Sequence, residues 1–232
     1  MWLYSFDYWL FMLPAILLTM LASWYVQSAY RRWGRVPASS RISGAEAARR
    51  LTLYGGLNNV RIEVIGGTLT DHYDPRDRTL RLSAGVAQSA SVAALAVAAH
   101  ELGHAQQDAE GYLPLRLRSA LVPAVNIGSY LGWILILIGL MIRSVGIAWL
   151  GVLAFSAGAL FALATLPVEL NASARARVLL RESGLIRTEE EARGVNTVLN
   201  AAALTYVAAL ATALLQLLYY VSLVAGLSGR RR

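Results

Sequence analysis

Charged residues fall along this chain in blocks, and the blocks are separated by long stretches that carry none. The first stretch lies between Asp7 and Arg31. It is rich in leucine and aromatics, with Trp and Tyr near both ends, as at a membrane–water boundary. Two more cover 119–142 and 144–168, parted by Arg143, and a fourth runs from about 198 to 227. An apolar run of about 18 residues or more is long enough for a helix to cross hydrocarbon, so each is predicted to span a bilayer. Pro14 is tolerable inside such a helix. The first run has no basic leader and is longer than a signal-peptide core, so it reads as a retained anchor.

The polar region 31–118 has a different periodicity. Ser43 followed by Glu46 is a capping box that opens a helix ending near Gly55-Gly56. Apolar and polar residues alternate over 60–64, which predicts a strand. The segments 68–70 and 79–82 flank the turn Asp74-Pro75-Arg76-Asp77 and predict a hairpin. An alanine-rich helix is expected from 86 to about 108, with no breaker before Gly103. A second polar region, 169 to about 193, holds Arg175, Arg177 and Arg181, and its run Glu189-Glu190-Glu191 reads as a solvated helix start. The expected segments are an anchor (1–30), an α+β insert (31–118), a transmembrane hairpin (119–168), a loop or helix (169–197), and a last transmembrane helix with a basic tail (198–232).

Composition agrees with lipid. Charged residues are 15% of the chain, against about 25% in soluble domains. The net charge is +7, and all 21 basic residues are arginine. These arginines are dispersed instead of clustered, which suits loops beside an anionic leaflet better than a nucleic-acid partner. The positive-inside rule places both polar regions in the cytoplasm. By the same count of spans the triplet Arg230-Arg231-Arg232 would fall outside, against the rule. There is no cysteine, which excludes disulfides, thiolate metal sites and cysteine nucleophiles. Any metal must sit on His, Asp or Glu, and there are three histidines.

Two of those histidines form His100-Glu101-Leu102-Gly103-His104. Positions i and i+4 stack on one helix face, so both imidazoles can reach one zinc ion, at about 2.0–2.1 Å. Glu101, offset around the helix, is placed to act as general base toward a water. A third ligand is needed. Glu110 is too near in sequence, whereas Glu169 follows Pro167 at the end of the third apolar run. An acid at a membrane boundary calls for a partner or a function, but a helix-start carboxylate on the helix dipole explains Glu169 equally simply. The remaining histidine, His72, is either a locally bonded turn residue or a donor to a developing oxyanion. Tyr73, Arg175 and Arg177 compete for that donor role, and the arginines also fit interfacial anchoring. A zinc-binding membrane scaffold and a hydrolase of non-peptide amides are the rival readings.

Three segments together carry a resemblance. They are Asp71-His72-Tyr73-Asp74-Pro75, the stretch from Ala99 through His100, Glu101, His104, Gln106-Gln107 and Glu110 to Tyr112, and Leu166-Pro167-Val168-Glu169-Leu170-Asn171-Ala172-Ser173. In these the sequence resembles the YugP-like neutral zinc metallopeptidases, a bacterial membrane family, over nearly its whole length. The resemblance implies a zincin-like insert with a gluzincin-type site, more distantly similar to the HtpX and CAAX-prenyl peptidases. It implies one zinc held by His100, His104 and Glu169 and a peptide substrate, and the arginine count puts that site at the cytoplasmic face of the membrane. By the same analogy the substrate would lie extended against an edge strand formed by 79–83 or 66–70.

Overall fold

In hydrocarbon every backbone polar group must pair within its own segment, so apolar runs of this length become helices. The computed structural model describes residues 6–229, and they form an α-helical integral membrane protein with a small three-stranded sheet. Four helices are long and apolar enough to span: α1 (Phe6–Trp33), α5 (Leu113–Met141), α6 (Val145–Glu182) and α7 (Glu189–Gly229). The Arg230-Arg231-Arg232 tail lies outside the described residues.

The chain divides into two compact units. One holds the described residues within 1–22, 116–167 and 205–232. Here α5 and α6 are joined by a turn at Arg143 (φ 55°) and touch through small residues. A Cβ on Gly132 would stand 2.5 Å from the Phe155 backbone nitrogen, so only glycine permits the approach. Ile136, Ala148, Val152 and Val224 form a small buried cluster among α5, α6 and α7.

The other unit, residues 23–115 and 168–204, contains the sheet, α2 (Gly44–Tyr54), α3 (Ala84–Gln88) and α4 (Val92–Ala109). Ser43 caps α2 as expected, its Oγ accepting the Glu46 N–H at 3.3 Å. The Glu46 carboxylate pairs with Arg49 and Arg50. β1 (Arg61–Ile65), β2 (His72–Asp74) and β3 (Thr79–Ser83) are arranged β1-β3-β2, with β1 parallel and β2 antiparallel to β3. Buried Leu80 and Leu82 of β3 meet Leu51, Leu95 and Leu102 in the main core, which also takes Leu180 and Leu199 from α6 and α7.

Four expectations need correction. The arm pairing with 79–83 is His72–Asp74, not 68–70, which is irregular and bends at Gly67 and Leu69, both with positive φ. Segment 79–83 is the central strand and offers no edge, and 66–70 is not a strand at all. The helix expected from 86 to about 108 is two helices. The chain leaves helical geometry at Ser89-Ala90-Ser91, where Ala90 and Val92 bond to Ala38 and Val36 instead. Finally, Glu191 is not solvated. It is 4% exposed, and its carboxylate accepts the N–H groups of Ser39 (2.6 Å), Arg187 (2.9 Å) and Thr188 (3.0 Å).

That carboxylate therefore closes the loop 183–188 against the segment before α2. Removing a buried acceptor leaves its donors unpaired, at about 1–3 kcal/mol for each. Glu191→Ala is expected to lower the thermal midpoint of the detergent-solubilised protein by several degrees, about 2 kcal/mol or more, read by circular dichroism. A midpoint equal to the wild type would show that water replaces these bonds.

Candidate metal centre

α4 begins at Ser91, whose Oγ accepts the Ala94 N–H at 3.2 Å, and it is lined with alanines. Ala93, Ala94, Ala96, Ala98, Ala99 and Ala105 are all buried, and such small side chains let neighbouring helices come close. The partner across the site is α6. Pro167 does not end this helix, and Glu169 is not a helix-start carboxylate: α6 continues unbroken to Glu182. The residues 168–173 thus present a helical face to α4. Contacts pair His100 with Ser173, Gly103 with Ala172, His104 with Glu169, and Gln107 with Val168. As numbers rise on α4 they fall on α6, so the helices run antiparallel along the contact.

Gly103 sets the spacing. A Cβ there would stand 2.5 Å from the Ala172 carbonyl oxygen, a backbone atom that cannot swing aside. This close approach brings Glu169, 2% exposed, between the two imidazoles. Its Oε2 lies 3.2 Å from His100 Nε2 and 3.4 Å from His104 Nε2. One ligand atom from each of the three residues falls within 4.8 Å of the others. Tetrahedral ligands at about 2.0–2.1 Å from zinc stand roughly 3.3–3.4 Å apart, so the donor set fits one such ion. A buried carboxylate facing two imidazoles also provides the charge a dication needs.

Both imidazoles are held from behind. His104 Nδ1 meets Gln107 Oε1 at 3.0 Å, and His100 Nδ1 meets Ser173 Oγ at 3.2 Å. An amide oxygen can only accept, so His104 carries a proton on Nδ1, and in the neutral ring Nε2 is the bare nitrogen facing the centre. For His104, burial works against the charged ring, but the hydrogen bond to Glu169, the charges of Glu101 and Glu169 and the Gln107 bond together outweigh it and raise the pKa.

Glu101 points to another side of α4. Its Oε2 accepts the Tyr73 backbone N–H at 3.2 Å, so the carboxylate sits between the histidines and the outer edge of β2. Burial raises its pKa, against the lowering pull of His100 and His104. β2 is positioned by Asp71, which accepts the Ser83 N–H at 2.7 Å, and by Tyr73, whose hydroxyl donates to Asp108 Oδ2 at 2.9 Å. Burial and Asp108 both raise the Tyr73 phenol, which keeps its proton.

The other sequence candidates lie elsewhere. His72 is exposed, with Nδ1 2.8 Å from the Thr70 carbonyl. Arg175 makes a two-pronged bond to Glu110 at 2.7 Å, and its Nε donates to Asn171. Arg177 donates to Asn196 and Asn200 of α7. Sequence reasoning passed over Gly103 as a contact point, and over Gln107, Asn171 and Ser173. The last three stand inside the segments that carried the resemblance, where their presence was the available signal.

Comparison with known proteins bears on what this arrangement is for. A family model described as "Putative neutral zinc metallopeptidase" matches residues 8–225. The chain belongs to that family. It is also 45% identical over 218 residues, 94% of this chain and 96% of the relative, to the Bacillus subtilis (strain 168) protein named "Putative membrane protease YugP". No solved structure matches the chain. Membership in a zinc metallopeptidase family agrees with the chemistry of the His100/His104/Glu169 donor set.

Gly103→Ala adds one methyl group against the α6 backbone. It is expected to weaken zinc binding on the order of tenfold or more, because ligand sets tolerate only sub-ångström misplacement. Competition with a chromophoric chelator measures this. An unchanged affinity would mean that the helices separate without moving Glu169.

Proposed function

We propose that this protein is a membrane-bound zinc endopeptidase of gluzincin type, with His100, His104 and Glu169 as ligands and Glu101 as general base. The observation that carries the reading is the meeting of those three donors, with the Glu101 carboxylate beside them. One zinc ion, when bound, would polarise a peptide carbonyl and lower the pKa of water to about 7. The chain's own groups supply the rest. Glu101, its proton affinity raised by burial, accepts a proton from the attacking water and returns it to the departing amine. The substrate adds as an extended strand to the outer edge of β2, where the Tyr73 N–H turns toward Glu101. This edge takes the place of the two segments expected from sequence.

Two substitutions test these roles separately. Glu101→Gln keeps the ligands, so it should retain zinc and lose cleavage of a peptide substrate by about 10²-fold or more. Glu169→Ala should lose the zinc. Full activity in the first, or normal metal content in the second, would overturn the corresponding role.

The arginines of the polar regions support a site at the cytoplasmic face of the membrane, the side that the positive-inside rule favours. Since the chain has no cysteine, a single His72→Cys variant reports the topology without background. A membrane-impermeant maleimide should label it in inverted vesicles and leave it unlabelled in intact cells. The reverse pattern would place the site outside.

A further inference from the structure

We infer that a chain of hydrogen bonds running from Glu110 through Arg175, Asn171 and Gln107 to His104 fixes the tautomer and aim of that histidine. Gln107 and Asn171 are its positioning residues. The inference rests on the proposed role of His104 as a metal ligand and adds residues to which no function has been given.

The direction of each bond is set by its neighbour. The Glu110 carboxylate takes both terminal nitrogens of Arg175 at 2.7 Å, which orients the guanidinium. Arg175 Nε then donates to Asn171 Oδ1 at 2.7 Å. The same oxygen accepts Gln107 Nε2–H at 2.9 Å, and the second hydrogen of that amide goes to the Val168 carbonyl at 2.8 Å. With both amide hydrogens committed to oxygens, Gln107 can turn only Oε1 toward His104 Nδ1. A flipped Gln107 amide would set its N–H against Nδ1 and turn its oxygen toward the Val168 and Asn171 oxygens, which have nothing to donate to it. The flip would also favour the tautomer whose proton sits on Nε2, where a metal must bind.

Gln107 is fully buried, so water does not replace the bonds it makes, whereas the Glu110–Arg175 pair lies at the surface. His100 has a weaker support, because a serine hydroxyl can donate or accept and does not dictate a tautomer. The two ligands are therefore held unequally, and the chain acts on His104. Asn171 and Arg175 also border an open cavity of about 500 Å³ with Tyr54 and Glu182, so trimming them seals no void.

The test uses full-length detergent-purified protein and zinc or cobalt(II) alone, with no substrate. Three readouts are taken: zinc affinity by chelator competition, the visible spectrum of the cobalt(II) form, and the thermal midpoint of the metal-free form. Gln107→Met and Asn171→Leu should each weaken zinc binding by about 10–100-fold and alter the cobalt(II) bands. Asn171→Asp keeps an oxygen for both donors and should restore near-wild-type affinity. If Gln107→Met fails to fold, the Asn171 pair decides alone. Unchanged affinity and spectrum in Asn171→Leu, or a lowered metal-free midpoint with unchanged affinity, would overturn the inference. A wild type that takes up no zinc would instead sink the proposed function, which keeps the two failures distinct.

Discussion

The unit that carries the candidate site depends on one close contact, the approach of α4 to α6 at Gly103 and Ala172. Everything chemical at the site follows from that distance. With a side chain larger than hydrogen at 103, the Glu169 carboxylate could not reach between two imidazoles that lie one helical turn apart. The contact also explains the composition of α4. Its buried alanines contribute little apolar area each, so the helix is held by fit more than by bulk. The larger side chains of the core, Leu51, Leu80, Leu82, Leu95 and Leu102, are joined there by Leu179 and Leu180 from farther along α6, while the contact itself is made by Gly103 and Ala172.

A buried carboxylate would be costly without partners, and here it has them only because of where α6 goes. A helix that stopped at Pro167 would leave Glu169 at an end with its backbone N–H groups exposed. The observed helix runs on, so Ala172, Ser173 and Ala176 share the buried stripe that Glu169 begins. The polar residues of the same stretch are then turned to Gln107 and Glu110 of α4 and its cap. One helical face thus carries the Glu169 carboxylate, the Asn171 and Ser173 hydrogen bonds and the backbone contact within two turns.

How much of this was legible in the sequence differs by element. The four spans were readable because hydrocarbon leaves a long uncharged run no alternative to helix. The His100/Glu101/His104 spacing was readable because period and chemistry coincide. The strand error at 68–70 has a local cause: Gly66-Gly67 and the positive φ of Leu69 bend that segment, while His72–Asp74 finds its pairing with β3. The break at Ser89–Ser91 was hidden because alanine propensity favours continuity, and the competing bonds come from residues 36–38, far away in sequence. Glu191 was misread for the same reason: its donors include Ser39. Contacts of this kind leave no local pattern.

Glu169 shows the limit most clearly. Its residue neighbours allowed two readings, ligand or helix-start carboxylate, and only the resemblance implied one of them. The structure removes the second reading on geometric grounds, since a mid-helix position has no free N–H groups for a carboxylate to cap. It does so without reference to metal. What remains is an acid shielded from water, 3.2 and 3.4 Å from two ring nitrogens, with one of those rings oriented from behind by an amide oxygen, which can only accept. Protonated imidazoles could satisfy such a carboxylate by themselves. Without a metal, a protonated His104 donates from Nδ1 to Gln107 and from Nε2 to Glu169 at once, in line with its raised pKa. A neutral His104, with its proton on Nδ1, instead turns a lone pair toward the Glu169 oxygen, two electron-rich atoms facing each other across a gap. Such a pair calls for a cation between its members, a proton or a metal ion, and a dication is what two imidazoles and a carboxylate converging on one point are suited to hold.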